Sequence, residues 1–234
     1  MYNDTSGQKH QNPIKHDLMR KIKERSSGKA FRRAANDTAP RVLVRTPLAL
    51  DNGVVAEIVS FSGLSDEKEH IALIFPASAP QESPLVRAHS ECLTGDVFHS
   101  ARCDCGDQLA QAQDMMSETG GILLYLRQEG RGIGLYKKIE AYKLQQENGL
   151  DTFEANRHLG FEDDLRNFQV AAEMLQALGV ERVRLLTNNP DKARSLTDYG
   201  ITVDEIICTG TFVKDANRGY LQIKERCGHT LSLS

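Results

Sequence analysis

The second half of the sequence alternates apolar runs with segments of helical character, and this alternation limits the possible folds more than any other feature. The apolar run at residues 122–126 and the largely apolar run at 183–186 are typical of strands buried inside a sheet. Apolar spacing or end signals predict helices at residues 108–119, 135–147, 168–178 and 190–200, and a last strand follows at 201–207. Such alternation predicts helices packed on a sheet.

The sequence before residue 90 has a different pattern, with four short β-type runs at residues 42–46, 54–59, 70–75 and 85–89. Turn signals separate them, among them the pair Asn52-Gly53 and the proline-containing segment 77–80. These runs predict a mainly antiparallel sheet. We therefore expect an α/β (α+β) fold in which N-terminal antiparallel strands lead into alternating β-α units, with helices packed on a mixed sheet.

The first forty residues form a basic, polar N-terminal extension, so residues 41–234 are expected to be the folded domain. Residues 14–33 contain eight Lys and Arg against two acidic residues, with Leu18 and Ile22 spaced for one weak helical face. The extension is expected to be a flexible or partly helical tail. Docking onto a partner subunit or an anionic surface is the alternative.

Composition excludes several classes of protein. A formal net charge of −3 argues against a general nucleic-acid binder. No apolar run approaches the length of a membrane span, and the polar start lacks the core of a signal peptide. Five cysteines, an odd number with three of them clustered, fit reduced thiols and a metal better than a disulfide framework. We expect a cytoplasmic protein that binds neither nucleic acid nor membrane.

The clustered thiols are Cys92, Cys103 and Cys105, which lie within fourteen residues of sequence. Zinc favours thiolate ligands, and three protein ligands leave the fourth tetrahedral position open for water, as in catalytic sites. The cluster therefore predicts metal-assisted hydrolysis.

Three other interpretations of the cluster remain open at this point. A disulfide between Cys103 and Cys105 is poorly placed, because one intervening residue rarely permits the required geometry. A structural zinc could be completed by His89, His99 or another cysteine. Buried inert thiols are also common. The remaining cysteines, Cys208 and Cys227, are expected to have no metal.

Three polar segments are candidates for ligand binding. The loop at residues 127–134 follows a buried strand and precedes a helix, and its three glycines and two arginines suit the phosphate groups of a triphosphate. Arg87 strengthens this interpretation. The polar stretch at 151–167 is predicted to be a long loop, either functional or merely exposed. The segment 187–190, together with Lys192, suits the binding of an anion or of the edge of a base, although the same pattern is also typical of a helix cap.

Five motifs occur in one order along the chain: R-x-H-S-E-C-L-T-G-D, R-C-D-C-G, R-Q-E-G-R-G-I-G-L, L-G-F-x-x-D-x-R and L-L-T-N-N-P-x-K. Together they resemble GTP cyclohydrolase II, the zinc enzyme that opens riboflavin biosynthesis, over about residues 41–229. The resemblance implies that Cys92, Cys103 and Cys105 bind catalytic Zn²⁺. It also implies that residues 41–234 are a catalytic domain of this kind.

The resemblance further implies a set of substrate contacts. Residues that match the GTP-binding positions of the family are Arg87, Ala88, His89, Ser90, Glu91, Gln108, Glu129, Gly130, Arg131, Thr152, Thr187 and Lys192. Tyr142 matches a tyrosine beside the base. Asp164 matches the proton acceptor, and Arg166 the nucleophile towards the α-phosphate. Because an arginine stays protonated in proteins, stabilisation of the leaving pyrophosphate is the physically better role for Arg166.

The reaction implied is hydrolysis of GTP to 2,5-diamino-6-(5-phosphoribosylamino)pyrimidin-4(3H)-one, formate and pyrophosphate, with Mg²⁺ on the triphosphate and a homodimer as the active form. Two positions depart from the family pattern: Lys137 replaces an asparagine, and Cys227 replaces a methionine. A related enzyme that stops at the formamide product and a non-catalytic, zinc-stabilised GTP sensor are the alternatives.

Overall fold

The computed structural model describes residues 39–162, 164–226 and 228–231. The predicted N-terminal extension, including Leu18 and Ile22, lies outside the described residues except for Ala39 and Pro40. Cys227, which is predicted to have no metal, also lies outside the described residues. No helix in the described part of the chain is long and apolar enough to cross a membrane.

Seven strands of the described chain form one mixed sheet in the order β1-β2-β3-β5-β4-β6-β7. The strands are β1 (Arg41–Ala49), β2 (Val55–Ser62), β3 (Ile71–Phe75), β4 (Leu85–Ser90), β5 (Gly121–Leu126), β6 (Arg182–Leu186) and β7 (Thr202–Ile207). The pairs β1-β2, β2-β3 and β3-β5 are antiparallel, whereas β5-β4, β4-β6 and β6-β7 are parallel. The predicted passage from antiparallel strands to β-α units on a mixed sheet is confirmed.

Seven helices accompany the sheet in the described residues: α1 (Leu93–Asp96), α2 (Cys105–Thr119), α3 (Leu135–Asn148), α4 (Thr152–His158), α5 (Gln169–Ala177), α6 (Pro190–Asp198) and α7 (Arg218–Arg226). Successive side chains of a strand point to opposite faces of the sheet. Leu124 of β5 accordingly packs with Leu175 of α5 and Leu196 of α6, and its neighbour Leu123 packs with Met116 of α2 on the other face. Helices therefore cover both faces.

The structure differs from the sequence-based expectation at strand β4, at helix α4, and at helices α1 and α7, which the sequence analysis did not predict. Strand β4, expected within an antiparallel group, pairs in parallel with both of its neighbours, because α2 returns the chain so that β5 runs in the same direction. The stretch predicted as a long loop begins with helix α4. Its cap is reciprocal: the Asp151 carboxylate accepts from the backbone N–H of Glu154, and the Glu154 carboxylate accepts from that of Asp151.

The order of the strands places a crevice at their carboxyl ends. The chain passes from β4 to β5 on one side and from β6 to β7 on the other, so the connections after these two neighbouring strands run in opposite directions. Ligands of open α/β sheets collect at such a point. The segment with the three thiols (residues 92–105), called the cysteine segment, follows β4. The loop at residues 127–134, called the glycine-rich loop, follows β5, and Thr187 follows β6. The cysteine segment and the polar segments at 127–134 and 187–190 therefore meet at one edge of the sheet.

Candidate active site

A cavity of about 480 Å³ lies at this edge and brings most of the predicted site residues together. Its lining includes Arg87, His89, Ser90, Glu91, Cys92, Cys103, Cys105, Gln108, Glu129, Gly130, Arg131, Tyr142, Thr152, Arg166, Thr187 and Lys192. Two predicted residues are not part of the lining. They are Ala88, whose carbonyl accepts a hydrogen bond from Lys192 Nζ at 2.6 Å, and Asp164, which pairs with Arg166.

The three thiols form a compact cluster, with the ligand atoms of Cys92, Cys103 and Cys105 within 4.8 Å of one another. The Sγ atoms of Cys92 and Cys103 are 3.7 Å apart, far beyond a disulfide bond, and all three residues are free thiols. Among the described residues, no histidine or carboxylate joins the cluster. This arrangement suits a metal site with three protein ligands and an open position rather than a closed structural site.

Two glycines allow the segments that carry the thiols to approach each other. A Cβ atom on Gly95 would lie 2.8 Å from Cys103 Sγ and 3.2 Å from Cys92 Sγ. A Cβ atom on Gly106 would lie 2.3 Å from the Gly95 carbonyl oxygen, a distance at which the two atoms would clash. The glycines of the T-G-D and C-D-C-G motifs are therefore required by the packing of one thiol segment on the other.

The carboxylate of Asp96 holds the start of the cysteine segment in place through hydrogen bonds. It accepts hydrogen bonds from the Cys92 backbone N–H at 3.0 Å and from the Tyr125 hydroxyl at 2.8 Å, and it lies 3.1 Å from His89 Nε2. Because Asp96 occupies this ring nitrogen, His89 supports the segment instead of joining the thiol cluster. Burial lowers the pKa of His89.

Sequence reasoning missed Lys138, whose Nζ lies 3.1 Å from Cys92 Sγ and 2.7 Å from Glu129 Oε1. Burial lowers the pKa of this lysine, but the negative charges of Cys92 and Glu129 outweigh burial and the pKa ends above its ordinary value. Hydrogen bonds from Cys103 and Cys105 lower the pKa of Cys92 in turn. Lys138 therefore places an ammonium group directly against one of the three thiols. Cys92 and Lys138 are 46 positions apart in the sequence, so no local pattern indicated this pair.

The departure at Lys137 lies outside the cavity. Its Nζ pairs with Glu140 at 2.7 Å, and both side chains are about half exposed. The structure therefore places this replacement on the surface and not in the pocket.

The glycine-rich loop has an unusual backbone. Gly130, Arg131 and Gly132 are consecutive residues with positive φ, and the left-handed conformation of Arg131 is uncommon for a residue with a side chain. A Cβ atom on Gly132 would lie 3.0 Å from Leu165 Cβ, and the Leu165 N–H donates to the Arg131 carbonyl at 3.0 Å. The loop is thus fastened to the segment that carries Asp164 and Arg166. The Arg131 guanidinium lies over the ring of Phe153.

Cations gather on the side of the cavity near His229. Burial, followed by the charges of Lys224, Arg166, Arg131 and Lys192, lowers the pKa of His229 to about 3. Burial and the neighbouring charges of Arg87 and Arg166 also lower the pKa of Lys192 well below its ordinary value. Such mutual repulsion would be relieved by a bound polyanion. We call Arg131, Arg166, Lys192 and Lys224 the cationic wall.

Asp164 and Arg166 form one unit. The Asp164 carboxylate accepts from Arg166 Nε at 2.8 and 3.1 Å and from the Arg166 backbone N–H at 3.0 Å. Burial raises the pKa of Asp164, but the bonds and charge of Arg166 outweigh burial and the pKa ends below its ordinary value. The carboxylate is therefore ionised at neutral pH, and Arg166 is held in one orientation.

Comparisons with known proteins agree with these features. The family model for GTP cyclohydrolase II matches residues 41–208. The chain is 58% identical over 194 residues to GTP cyclohydrolase-2 of Psychromonas ingrahamii, a match that covers 80% of this chain and 96% of that protein. It is 57% identical over 185 residues to GTP cyclohydrolase-2 of Vibrio vulnificus, covering 79% and 93%. It is 51% identical over 177 residues to the riboflavin biosynthesis protein RibBA of Bacillus cytotoxicus, covering 75% and 44%. The chain therefore belongs to the GTP cyclohydrolase II family, the enzymes that hydrolyse GTP in riboflavin biosynthesis.

Proposed function

We propose that the chain converts GTP to 2,5-diamino-6-(5-phosphoribosylamino)pyrimidin-4(3H)-one, formate and pyrophosphate, with zinc held by Cys92, Cys103 and Cys105. One observation carries the proposal: a single cavity joins the thiol cluster to the cationic wall. A hydrolase that opens the guanine ring of GTP needs both features, a metal site for the base and cations for the phosphates. We also expect a cytoplasmic homodimer, as the family resemblance implies.

The thiol cluster fits zinc by its donor set, because three free thiols converge and one already lies beside an ammonium group. When bound, zinc would supply the Lewis acidity that activates water for ring opening and formate release. In this chemistry the residues of the chain orient the metal ligands. Lys138 and Glu129 hold Cys92 and the Leu93 backbone in place, the latter through Glu129 Oε2 at 2.6 Å from the Leu93 N–H.

The direction of the substrate in the cavity follows from its chemistry. The bonds that break to release formate are in the imidazole ring of guanine, so the base must face the thiols. Tyr142 is suited to lie beside it, since its hydroxyl is 3.2 Å from Thr94 Oγ1 and its ring is packed under the Arg102 guanidinium at 4.4 Å. The triphosphate then extends towards the cationic wall.

Three members of the cationic wall, Arg131, Arg166 and Lys192, would bind and stabilise the phosphates. Arg166 offers a fixed, planar set of N–H donors to the leaving pyrophosphate, because Asp164 holds its guanidinium and raises its pKa against the effect of burial. The ionised Asp164 carboxylate is the proposed proton acceptor. Mg²⁺ is expected to travel on the triphosphate, because the thiol cluster is the one group of three or more candidate metal ligands among the described residues.

The experiment that tests this function is a GTP turnover assay on zinc- and magnesium-loaded protein, with formate, pyrophosphate and product mass measured together. The proposal requires formate and pyrophosphate in equal amounts. Pyrophosphate without formate would instead identify an enzyme that stops at the formamide product. GTP binding with neither product would identify a sensor.

An Arg166→Lys substitution should lower kcat/KM for GTP by about 100-fold while zinc content is unchanged, because lysine keeps the charge but loses the planar fork. Arg182→Lys is a matched control, since Arg182 also pairs with an aspartate, Asp204, but on the exposed end of β6. Turnover and metal content are measured on both variants. Equal loss of zinc and activity in the Arg166 variant would mean that this arginine supports the fold instead of the reaction.

A further inference from the structure

Helix α7 lies beyond residues 41–208, the part of the chain that the family model matches, yet it lines the cavity. Six residues of the C-terminal region are in the lining: Ala216, Gly219, Tyr220, Ile223, Lys224 and His229. We call these six residues the C-terminal wall. Lys224 is also part of the cationic wall, so this region adds charge as well as shape to the cavity.

A buried ion pair attaches the C-terminal wall to the thiol cluster. Lys224 Nζ lies 2.7 Å from Asp104 Oδ1, and the Asp104 side chain has no exposed surface. Asp104 stands between Cys103 and Cys105 in the sequence and precedes the first residue of α2. The position of α7 is therefore tied directly to the segment that carries two of the three thiols.

The other oxygen of the same carboxylate continues the connection to β4. Asp104 Oδ2 accepts from Gln108 Nε2 at 2.7 Å, and Gln108 Oε1 accepts from Arg87 Nη2 at 2.9 Å. Arg87 also donates to the Leu186 carbonyl at the end of β6. Gln108 and Arg87 are both predicted to contact GTP, so Lys224 is linked through one carboxylate to two substrate contacts.

Further contacts fasten the C-terminal region on both sides of this ion pair. Lys214 Nζ lies 2.6 Å from Asp107 Oδ2 in the first turn of α2. Leu221 is completely buried, and the Thr230 N–H donates to the Asn188 carbonyl at 2.9 Å, next to Thr187. The Lys224 ammonium lies 4.7 Å from the centre of the Tyr220 ring, and this ring is part of the cavity lining.

We propose that α7 is a component of the substrate site and that Lys224 is a positioning residue for GTP. Lys224 holds the C-terminal wall against the cavity and, through Asp104, sets the orientation of Gln108 and Arg87. This inference rests on the proposed function, which puts GTP in the cavity. Bound GTP is in turn expected to stabilise α7, because the substrate would fill the space between this helix and the glycine-rich loop.

The first test is steady-state kinetics of Lys224→Met. We expect KM for GTP to rise about tenfold while kcat changes less than about threefold and zinc content is unchanged. Lys224→Gln, which keeps a donor for Asp104, should give an intermediate KM. Arg226→Met is the matched control, because it removes a cation from an exposed position of the same helix and should leave KM as in the wild type. An unchanged KM in Lys224→Met, or a loss of active enzyme with KM unaltered, would overturn the proposal.

The second test avoids variants, because Lys224→Met leaves a buried carboxylate without its cation and could fail to fold. Hydrogen exchange of the wild-type, zinc-loaded protein is measured with and without a non-hydrolysable GTP analogue. Amides of residues 218–226 should exchange about tenfold more slowly with the analogue. Unchanged exchange in α7 while the glycine-rich loop is protected would refute the role of α7 alone. A wild-type protein that neither binds the analogue nor turns over GTP would instead refute the proposed function.

Discussion

A Cys103→Ser variant is expected to release no measurable formate from GTP and to lose most of its zinc. A serine hydroxyl stays protonated at neutral pH and is a much harder ligand than a thiolate, so two soft ligands would remain of three. Zinc affinity should fall by more than about 100-fold, because replacement of residues that only hydrogen-bond to metal ligands already lowers affinity by up to that factor. Zinc content by metal analysis, zinc affinity by chelator competition and formate release are the three measurements.

Cys208→Ser is the matched control for this prediction. Cys208 is an exposed free thiol outside the cluster, so its replacement should leave both zinc content and formate release as in the wild type. A Cys103→Ser protein with full zinc and full activity would exclude the cluster as the catalytic metal site. Normal zinc with no formate would keep the metal assignment and move the role of Cys103 to the reaction itself.

Gly106→Ala is expected to disrupt the same site through packing alone. The added methyl group would lie 2.3 Å from the Gly95 carbonyl oxygen, and backbone atoms have little freedom to move away. We expect a loss of about 3 kcal/mol in the free energy of unfolding, near the top of the usual range for overpacked cores. Because Gly95 borders the thiols, zinc affinity should fall as well. Denaturant unfolding and metal analysis test both effects.

Gly219→Ala is the corresponding control. Gly219 is a helical residue of α7 whose added methyl group would meet nothing within 4 Å. Alanine is favoured over glycine in helices, so the free energy of unfolding should stay constant or increase by up to about 1 kcal/mol. If both alanine variants unfold alike and bind zinc alike, the close approach of the two thiol segments is not needed for the site.

Local signals in the sequence predicted four of the seven helices that follow β4, namely α2, α3, α5 and α6, but not the short helix α1 or the C-terminal helix α7. These four helices were predicted to end at or next to a glycine. Each of these glycines has a positive φ and lies one or two residues beyond the observed end of its helix: Gly120, Gly149, Gly179 and Gly200. Glycine adopts this conformation without steric cost, so such an end is readable without knowledge of the rest of the fold. Helix α4 was missed, although Asp151 and Glu154 had the spacing of a capping box, because the stretch lacked apolar periodicity.

Contacts between distant parts of the chain were not readable in this way. Strand β4 has the composition of its antiparallel predecessors, and only the crossover through α2 makes its pairing parallel. Lys138 is 46 residues from Cys92, and Lys224 is 120 residues from Asp104. Neither lysine differs by any local feature from a solvated one, because an ion pair of this kind exists only after both elements have packed.

Local sequence patterns were enough to predict the class of fold, the family and the set of thiols, because helix ends, strand runs and motif residues are properties of neighbouring positions. How these parts form a site depends on the packing of the folded chain. The close packing at Gly95 and Gly106 brings the thiols within reach of one another. The strand order around β4 and β6 brings three loops to one edge of the sheet, and the buried Asp104 carboxylate links the C-terminal helix to them. Each depends on which surfaces are buried against each other, a property of the folded chain as a whole.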